Sequence, residues 1–407
     1  MPDDASASLA FPDGFTWGTA TAAHQIEGGN WNNDWWLFEH TPGSGTTEPS
    51  GDCCDSWNRW AEDADIVRDL GLDSYRFSLE WSRIEPEDGE WSTAALDHYA
   101  RQCDGLRDRG IDPVVTFHHF TTPRWLAARG GWGTDEAVER FGAFCERAAS
   151  HLGADRIARA CTINEPNVVA YYGFVEGLFP PGEKDLGKGI DVLQRFARAH
   201  RVAVDALRSA VPSVPVGLTV ALQDWVAVGD TEEELAAAQS GLERSRALME
   251  DDLLRATNGD DFVGVQTYSR LRWGPEGMLG PEEGVDTLVM GYEYWPESLE
   301  GTIRHTWDVT GGEVPILVTE NGIGTDDDEQ RIRYTRSALE GVLRCLGDGI
   351  DVRGYKYWSL LDNFEWAHGY GARFGLVDVD RTTFVRSPKP SARWYGDVAR
   401  ANALPST

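Results

Sequence analysis

Short apolar runs typical of β-strands alternate along the chain with longer amphipathic segments typical of α-helices, and this alternation occurs eight times. Because a helix between two neighbouring strands crosses back over the sheet, we expect the strands to run parallel. The strand-like runs, rich in β-branched and aromatic residues, begin at Phe15, Ser74, Pro113, Ile157, Pro215, Asp261, Pro315 and Tyr355.

Three of the intervening segments carry apolar residues at spacings of three and four, as an amphipathic helix requires. They are residues 57–72 with a stop at Gly71, residues 94–110 ending at Gly110, and Thr134 to about Leu152 with Gly153 beyond. Eight strand-then-helix units predict the α/β class and a single (β/α)8 TIM barrel, with residues 1–407 as one domain. Segments 39–56 and 272–298 are predicted to be long loops at its rim.

An open, doubly wound sheet is the alternative fold. Such a sheet usually has a glycine-rich phosphate turn after its first strand, and no G-x-G-x-x-G motif follows Phe15 here.

The chain is strongly acidic, with 37 Lys and Arg against 67 Asp and Glu and a net charge of −30. This charge argues against nucleic acid and anionic membranes as partners, because both require a basic patch. Only four of the basic residues are lysines. Scarce lysine with excess carboxylate indicates adaptation to concentrated salt, in which the Debye length falls to roughly 3 Å and carboxylate repulsion is screened.

The first ten residues contain neither a positively charged region nor an apolar stretch, so we expect no signal peptide and a cytoplasmic protein. No apolar run is long enough to span a membrane. The six cysteines form no C-x-x-C pair, and we expect them to be reduced and mostly buried.

Polar residues recur where the strand-like runs end, and the active face of a (β/α)8 barrel lies at that end of its strands. In chain order they are Gln25 and Glu27, Arg76 and Glu80, His118 and His119, Asn164 and Glu165, Gln266 and Tyr268, Glu320 and Asn321, and Trp358, Glu365 and Trp366.

Glu165 and Glu320 each follow an apolar run directly, where an unpaired carboxylate is costly to bury. The fourth and seventh strands lie across part of the barrel mouth, so both side chains can face one pocket. Two facing carboxyl groups suit glycoside hydrolysis, in which one protonates the leaving oxygen and the other attacks the anomeric carbon or activates water. The alternative is that each glutamate caps a loop or forms an ion pair.

Other polar and aromatic residues fit a sugar site. Arg76 can hold one glutamate ionised, the alternative being a surface salt bridge, and Asn164 can bond a sugar hydroxyl. Trp358 and Trp366 can stack on a pyranose ring, although core packing is the commoner role of a single tryptophan.

The sequence predicts neither a metal nor a cofactor. His118 and His119 are neighbours on one strand, so only one of them can face the barrel interior. No H-x-H, H-E-x-x-H or Cys-His set completes a ligand shell, and the G-x-S-x-G motif of serine hydrolases is absent.

Several motifs resemble those of glycoside hydrolase family 1, the β-glucosidase family. T-I-N-E-P at Thr162–Pro166 and V-T-E-N-G at Val318–Gly322 are similar to its two catalytic signatures. Further similar blocks occur in the family's order over nearly the whole chain, at Phe15–Gly28, Tyr75–Ile84, Tyr357–Tyr370, Arg373–Asp380 and Ser387–Tyr395.

The resemblance implies a retaining exo-β-glycosidase with Glu165 as acid/base and Glu320 as nucleophile, the two carboxyl groups lying about 5–5.5 Å apart. It implies a raised pKa for Glu165 and a low one for Glu320. Arg76 and Tyr268 would flank the nucleophile, and Tyr292 would lie on the aglycone side. The residues it implies for binding the sugar are Gln25, His119, Asn164, Trp358, Glu365 and Trp366.

The expected substrate is a small β-glycoside or short oligosaccharide with a terminal β-glucosyl residue, β-galactosyl and β-fucosyl residues being alternatives. Phosphosugar members carry a serine and a basic group near the position of Trp366, so a 6-phosphate substrate is not expected. The sequence departs from the family pattern at Phe120, Gln266 and Tyr292, where the family usually has Trp, Asn and Trp. The alternatives are a transglycosylase of the same mechanism and a non-catalytic sugar-binding barrel.

The acidic composition leads to a stability prediction. Below about 0.5 M KCl, unscreened carboxylate repulsion should destabilise the fold, and the melting temperature should rise as KCl is added. Thermal melts from low to multimolar KCl measure this, and a melting temperature independent of KCl would contradict adaptation to salt.

Overall fold

The computed structural model describes residues 9–405, so the first eight residues, which contribute to the signal-peptide prediction, lie outside the described part. Eight parallel strands form a closed barrel. They are β1 (Thr16–Ala20), β2 (Ser74–Ser78), β3 (Asp112–His118), β4 (Arg159–Asn164), β5 (Val216–Ala221), β6 (Phe262–Gln266), β7 (Ile316–Asn321) and β8 (Val352–Trp358).

Each barrel strand pairs with its neighbours in chain order, and β8 pairs with β1 in a register that sets Thr16 opposite Gly354 and Ala20 opposite Trp358. All eight predicted runs are barrel strands. The predicted (β/α)8 barrel is therefore confirmed, and the doubly wound alternative is excluded because an open sheet has no such closing pair.

One long helix follows each strand before the next strand or the end of the chain. These helices are α1 (Ser56–Asp69), α2 (Thr93–Arg107), α3 (Glu136–Leu152), α4 (Leu186–Ala210), α5 (Glu232–Arg246), α6 (Ser298–Val309), α7 (Asp328–Gly347) and α8 (Pro390–Ala401). The three predicted helices are α1, α2 and α3. Gly71, Gly110 and Gly153, which follow them, have φ of 76°, 74° and 76°, a conformation that glycine adopts without strain.

Shorter helical turns occupy the loops that follow the strands. They are Ala23–Ile26, Asp34–Glu39, Trp81–Ile84, Arg124–Ala127, Gly131–Gly133, Pro166–Ala170, Tyr171–Val175 and Trp366–His368. Two more, Ala247–Asp251 and Asp252–Ala256, continue directly from α5 toward β6. Among residues 9–405, no helix combines the length and apolar character needed to cross a bilayer. The six cysteines are all buried and unpaired, as predicted.

Of the two predicted loops, residues 40–55 contain neither helix nor strand. The prediction for 272–298 is wrong at its start, because Arg270–Gly274 pairs with Gly277–Met278 and with Asp224–Ala227 in a separate three-stranded sheet. Its partner strand, Asp224–Ala227, lies more than forty residues earlier in the chain, so no local sequence pattern predicts the pairing. Two further short strands, Val377–Val379 and Arg386–Pro388, form an antiparallel pair.

The alternation of side chains along each strand divides the apolar residues into two layers. In β7, Ile316 and Val318 belong to the main core that the barrel shares with the helices, whereas Leu317 belongs to a separate cluster in the lumen. Val114, Cys161 and Phe262 complete that lumen cluster.

Bulges in β4 and β7 interrupt this alternation at the residues that reach the barrel mouth. Along β4, Cys161 lies opposite Gly217 and Asn164 opposite Thr219, so three steps on β4 match two on β5. Along β7, Val318 lies opposite Val265 and Glu320 opposite Gln266. Because a bulge inserts one residue, Glu320 faces the lumen although Val318, two residues earlier, faces the helices.

Lys356 is a charged residue in the interior of the barrel, where such a residue is unusual. It lies on β8 between two tyrosines of the main core, is fully buried, and its Nζ has no hydrogen-bond partner. Burial, helped by the charge of Arg159, lowers the pKa of Lys356 to about 8, while Asp73 partly opposes the shift. The folded chain therefore binds this proton less tightly than the unfolded chain does.

Replacing Lys356 by methionine should stabilise the protein. At or below pH 8 the free energy of unfolding should rise by about 2 kcal/mol, because a charge without a partner leaves the lumen. The gain should shrink between pH 8 and about pH 10.4, since there the folded state has already lost the proton that the unfolded state still holds. Urea unfolding at pH 7 and pH 10 measures it, with Lys188→Met, at an exposed surface pair, as the control. An equal gain at both pH values would contradict the explanation that it comes from removing the Lys356 charge.

Candidate active site

The guanidinium of Arg76 lies at the centre of the barrel mouth, fully buried on β2. It donates from Nη1 to Oε1 of Glu320 at 2.5 Å and from Nη2 to Oδ1 of Asn164 at 2.6 Å. A third bond runs from Nε to the Thr116 hydroxyl at 3.0 Å. One cation therefore joins β2, β3, β4 and β7 and fixes the position of the Glu320 carboxylate.

Both oxygens of Glu320 accept hydrogen bonds. The hydroxyl of Tyr268 donates to Oε2 at 2.6 Å, on the other side of the carboxylate from Arg76. The Tyr334 hydroxyl donates in turn to the backbone oxygen of Tyr268 at 2.7 Å, which ties the loop after β6 to α7. The orientation of Glu320 is thus set from two directions.

Glu165 has a contrasting environment. It is 8% exposed, and within residues 9–405 its carboxyl group has neither a hydrogen-bond nor an ion-pair partner. Its backbone is left-handed, with φ of 44°, and Pro166 begins the next helical turn directly after it. Such a conformation is uncommon for a residue with a side chain and frequently marks a functional position.

Burial raises the pKa of both glutamates. The negative charge of Glu320 raises the pKa of Glu165 further, to well above its usual range. For Glu320, the charge of Arg76 and the hydrogen bonds from Tyr268 and Arg76 oppose the effect of burial. The expectation of a low pKa for Glu320 is wrong, because burial outweighs its partners and raises its pKa as well.

The predicted sugar-binding residues are all buried and surround this pair; they are Gln25, His119, Asn164, Trp358, Glu365 and Trp366. Gln25 donates to the backbone oxygen of Phe364 at 2.8 Å, and its own Oε1 has no partner. Nδ2 of Asn164 lies 3.2 Å from Nε2 of His119, whose Nδ1 is unpartnered. Oε1 of Glu365 accepts a bond from the Trp358 indole at 3.3 Å. Unpartnered buried donors and acceptors suit a ligand rich in hydroxyl groups.

The imidazole ring of His119 packs with two indole rings. Its ring is nearly parallel to Trp358, with centroids 5.8 Å apart, and to Trp366, with centroids 6.1 Å apart. Phe120 packs on Trp366 at 5.0 Å. Phe120 and Trp366 share the left-handed backbone of Glu165, with φ of 70° and 51°. Three residues of the site therefore have a conformation that the surrounding packing must hold.

His118 faces away from the site. The Trp132 indole donates to its Nε2 at 3.1 Å, and its ring packs on Phe141 and Phe196 of the surrounding helices. The prediction that only one of the two histidines faces the interior is confirmed. Within the described range 9–405 there is no group of three His, Cys, Asp or Glu side chains arranged to hold a metal ion.

Tyr292 is half-buried in the long β6–α6 connection, and the charge of Glu365 contributes to the rise of its phenol pKa after burial itself. It therefore lies near the predicted sugar residues. Gln266, one of the departures from the family pattern, donates to Oδ1 of Asn164 at 2.9 Å and leaves its own Oε1 unpartnered.

Two residues of the site were not identified from the sequence. The Thr116 hydroxyl accepts a hydrogen bond from Arg76. The sequence feature that could have identified it is a polar residue inside the apolar run V-V-T-F. Tyr172 lies close enough to Glu165 for that charge to raise its pKa, after burial. The only sequence feature that points to it is a pair of tyrosines that begins seven residues after the end of β4, and such pairs are also common in ordinary helices.

The chain matches the family model described as glycosyl hydrolase family 1 over residues 7–261 and 280–404. It is 34% identical to a 1,4-beta-D-glucan glucohydrolase of Thermotoga neapolitana, over 97% of this chain and 99% of that protein. It is 33% identical to a bifunctional beta-D-glucosidase/beta-D-fucosidase of Bifidobacterium breve, over 95% and 98% of the two chains. The crystal structure of beta-glycosidase BGL167 superposes with a TM-score of 0.88 at 43% identity, covering 98% of this chain and 99% of that one.

Proposed function

The chain belongs to glycosyl hydrolase family 1, enzymes that hydrolyse glycosidic bonds, and from that premise we propose a retaining exo-β-glycosidase formed by one (β/α)8 domain. Its substrates are β-glycosides with a terminal non-reducing β-glucosyl residue. β-Fucosyl residues are a second substrate, in line with the Bifidobacterium breve relative, and β-galactosyl residues a third.

The contrast between the two glutamates carries this proposal. Glu320 has donors on both oxygens, from Arg76 and Tyr268, which stabilise its ionised form. Glu165 has none, and burial and the charge of Glu320 raise its pKa, which favours its protonated form. A carboxylate and a carboxylic acid in one pocket are the two groups that glycoside hydrolysis requires.

In the first half of the reaction, a Glu320 oxygen attacks the anomeric carbon while Glu165 gives its proton to the glycosidic oxygen. The bond between these two substrate atoms breaks, the aglycone leaves as a neutral alcohol, and the sugar remains as an ester of Glu320. Loss of the aglycone leaves Glu165 ionised.

In the second half, Glu165 takes a proton from a water molecule whose oxygen attacks the anomeric carbon. The ester bond breaks, Glu320 is again a carboxylate bound to Arg76 and Tyr268, and Glu165 is again protonated. Two inversions at the same carbon give net retention of the β configuration.

The buried polar side chains around the pair provide the sugar contacts in this proposal. Gln25, His119, Asn164 and Glu365 hydrogen-bond the hydroxyl groups. Trp358 lies beneath the pyranose ring, Trp366 also contacts the sugar, and Tyr292 lies on the aglycone side. Arg76 and Tyr268 are positioning residues that act through Glu320.

We also infer that the enzyme works in the cytoplasm, in a salt-rich cell. Six buried, unpaired thiols are consistent with a reducing compartment, and the net charge of −30 is consistent with concentrated salt.

Substitution of the two glutamates should have different effects. Glu320→Gln should lower kcat by at least about 10⁴-fold on every glycoside, because the ester cannot form. Glu165→Gln should slow aryl glycosides with poor leaving groups about 100-fold or more, and those with a dinitrophenyl leaving group far less, because an activated leaving group needs no proton. Release of the phenol from both substrate types measures this. Equal losses on the two types would contradict Glu165 as the acid.

The stereochemistry and the sugar are tested together. Aryl β-glucoside, β-galactoside and β-fucoside are hydrolysed in multimolar KCl while NMR follows the sugar released. We expect the β-anomer first, with the α-anomer appearing only by mutarotation, and the highest kcat/KM on the glucoside. Initial release of the α-anomer would contradict the covalent route, and no turnover of any of the three would contradict the proposed function.

A further inference from the structure

A groove of about 670 Å³ lies beside α1 and α2, between the loops that follow β1 and β2. We call it the Trp31 groove; its walls are residues 29–32, the segment 82–92, Trp57 of α1 and the first half of α2. None of its lining residues belongs to the catalytic pair or to the predicted sugar residues, so the groove is separate from the catalytic pocket. Its volume is in the range of small-molecule binding sites.

Trp31 lines the groove and is 63% exposed, which is unusual for a tryptophan. The residues on either side of it are fixed. Asn30 donates to Oε2 of Glu80 at 2.7 Å, and Asn32 donates to the backbone oxygen of Pro86 at 2.9 Å, which ties the loop after β1 to the loop after β2. The indole therefore projects from an anchored loop and offers a flat apolar surface to a ligand.

Arg101, on α2, is an exposed cation at the same groove. Within residues 9–405 its guanidinium forms neither an ion pair nor a hydrogen bond. The carboxylates one turn away on its own helix are bonded elsewhere, Asp97 to His151 at 2.8 Å and Asp104 to Arg156 at 2.7 Å. This positive charge is therefore available to an anion, in a chain whose net charge is −30.

Arg83 is a second cation in the groove, and its position is fixed from behind. Its Nε donates to Oε2 of Glu27 at 2.8 Å and its Nη2 to the backbone oxygen of Gly28 at 2.6 Å. Its guanidinium also lies over the Trp57 ring, 4.2 Å from the centroid. In the described part of the chain its Nη1 has no acceptor, so one donor remains for a ligand.

The imidazole of His98 lies where the effects of these two cations meet. Its ring stacks on Trp57 with centroids 3.7 Å apart, and neither of its nitrogens has a hydrogen-bond partner among residues 9–405. Burial and then the charges of Arg101 and Arg83 lower the pKa of His98 to about 4, so the ring is uncharged at neutral pH. Both guanidinium groups are thus close enough to act on one ring of the groove.

The groove is complementary to a ligand that is both anionic and saccharide-like. Two guanidinium groups line it, and Glu87 is the one carboxylate among its lining residues. Guanidinium groups bind carboxylates with strong, charge-assisted hydrogen bonds. A sugar has an apolar ring face and hydroxyl edges, which match the Trp31 indole and the free imidazole nitrogens of His98.

We propose that the Trp31 groove is a second, non-catalytic binding site for an acidic saccharide. A sugar ring stacks on Trp31, and the carboxylate of a uronic acid binds Arg101 and Arg83. The inference goes beyond the proposed function and does not depend on it, because neither glutamate of the catalytic pair takes part and no bond is made or broken.

Two compounds that differ in charge alone test the proposal: α-1,4-digalacturonate and its dimethyl ester. Their α-linkage keeps them distinct from the β-glycosides proposed for the catalytic pocket. Calorimetric titration is done at the lowest KCl concentration at which the protein is folded, because salt screens the guanidinium charges. We expect the Kd of digalacturonate to be about tenfold lower than that of the ester, because only the free carboxylate pairs with the arginines.

Variants assign the binding to the groove. Arg101→Leu should reduce the preference for digalacturonate over its ester to about twofold or less. Trp31→Ala should raise the Kd of both compounds about fivefold, because the platform for the sugar ring is lost. Both side chains are exposed, and thermal melts check that the variants fold. Arg147→Leu, the same change at an exposed arginine on α3 without a partner among residues 9–405, is the matched control and should keep the wild-type values.

The outcomes separate this inference from the proposed function, because the titration involves no turnover. No binding of digalacturonate, equal affinity for the acid and the ester, or an affinity that Arg101→Leu and Trp31→Ala leave unchanged would overturn the inference. Sodium acetate that binds as tightly as digalacturonate would indicate a site for anions without recognition of the sugar, and would overturn it as well. In each case the glycosidase proposal is unaffected.

Discussion

The buried ion pair between Arg76 and Glu320 is the interaction on which the rest of the site depends. A guanidinium with no exposure to solvent must have its donors satisfied, and Glu320, Asn164 and Thr116 satisfy them from three other strands. Removing any one of these partners would leave a buried charge or donor unpaired. The cation therefore organises the barrel mouth and at the same time stabilises the ionised form of one carboxylate.

The chemistry follows from an asymmetry in hydrogen bonding. Both glutamates are buried, and burial alone would favour the protonated form of each. Arg76 and Tyr268 hydrogen-bond only Glu320 and oppose the effect of burial there, whereas the charge of Glu320 raises the pKa of Glu165 further.

The overall fold and the family were predictable because they depend on repeated, local signals. Short runs rich in β-branched and aromatic residues identified all eight barrel strands, spacings of three and four identified three of the helices, and glycines marked the ends of those helices correctly. The strand Arg270–Gly274 was missed because its partner Asp224–Ala227 is remote in sequence. The sugar residues were identified through the family resemblance. Their mutual contacts, such as those of His119 with Trp358 and Trp366, have no local pattern in the sequence.

By itself, the sequence determined the number of strands, their parallel order and the two glutamates at the ends of β4 and β7. Only the tertiary structure decided which way those residues point, because bulges in β4 and β7 offset the strict alternation that a sequence pattern assumes. It alone decided the direction of the two pKa shifts, since burial and the Arg76 charge act through space between strands far apart in the chain.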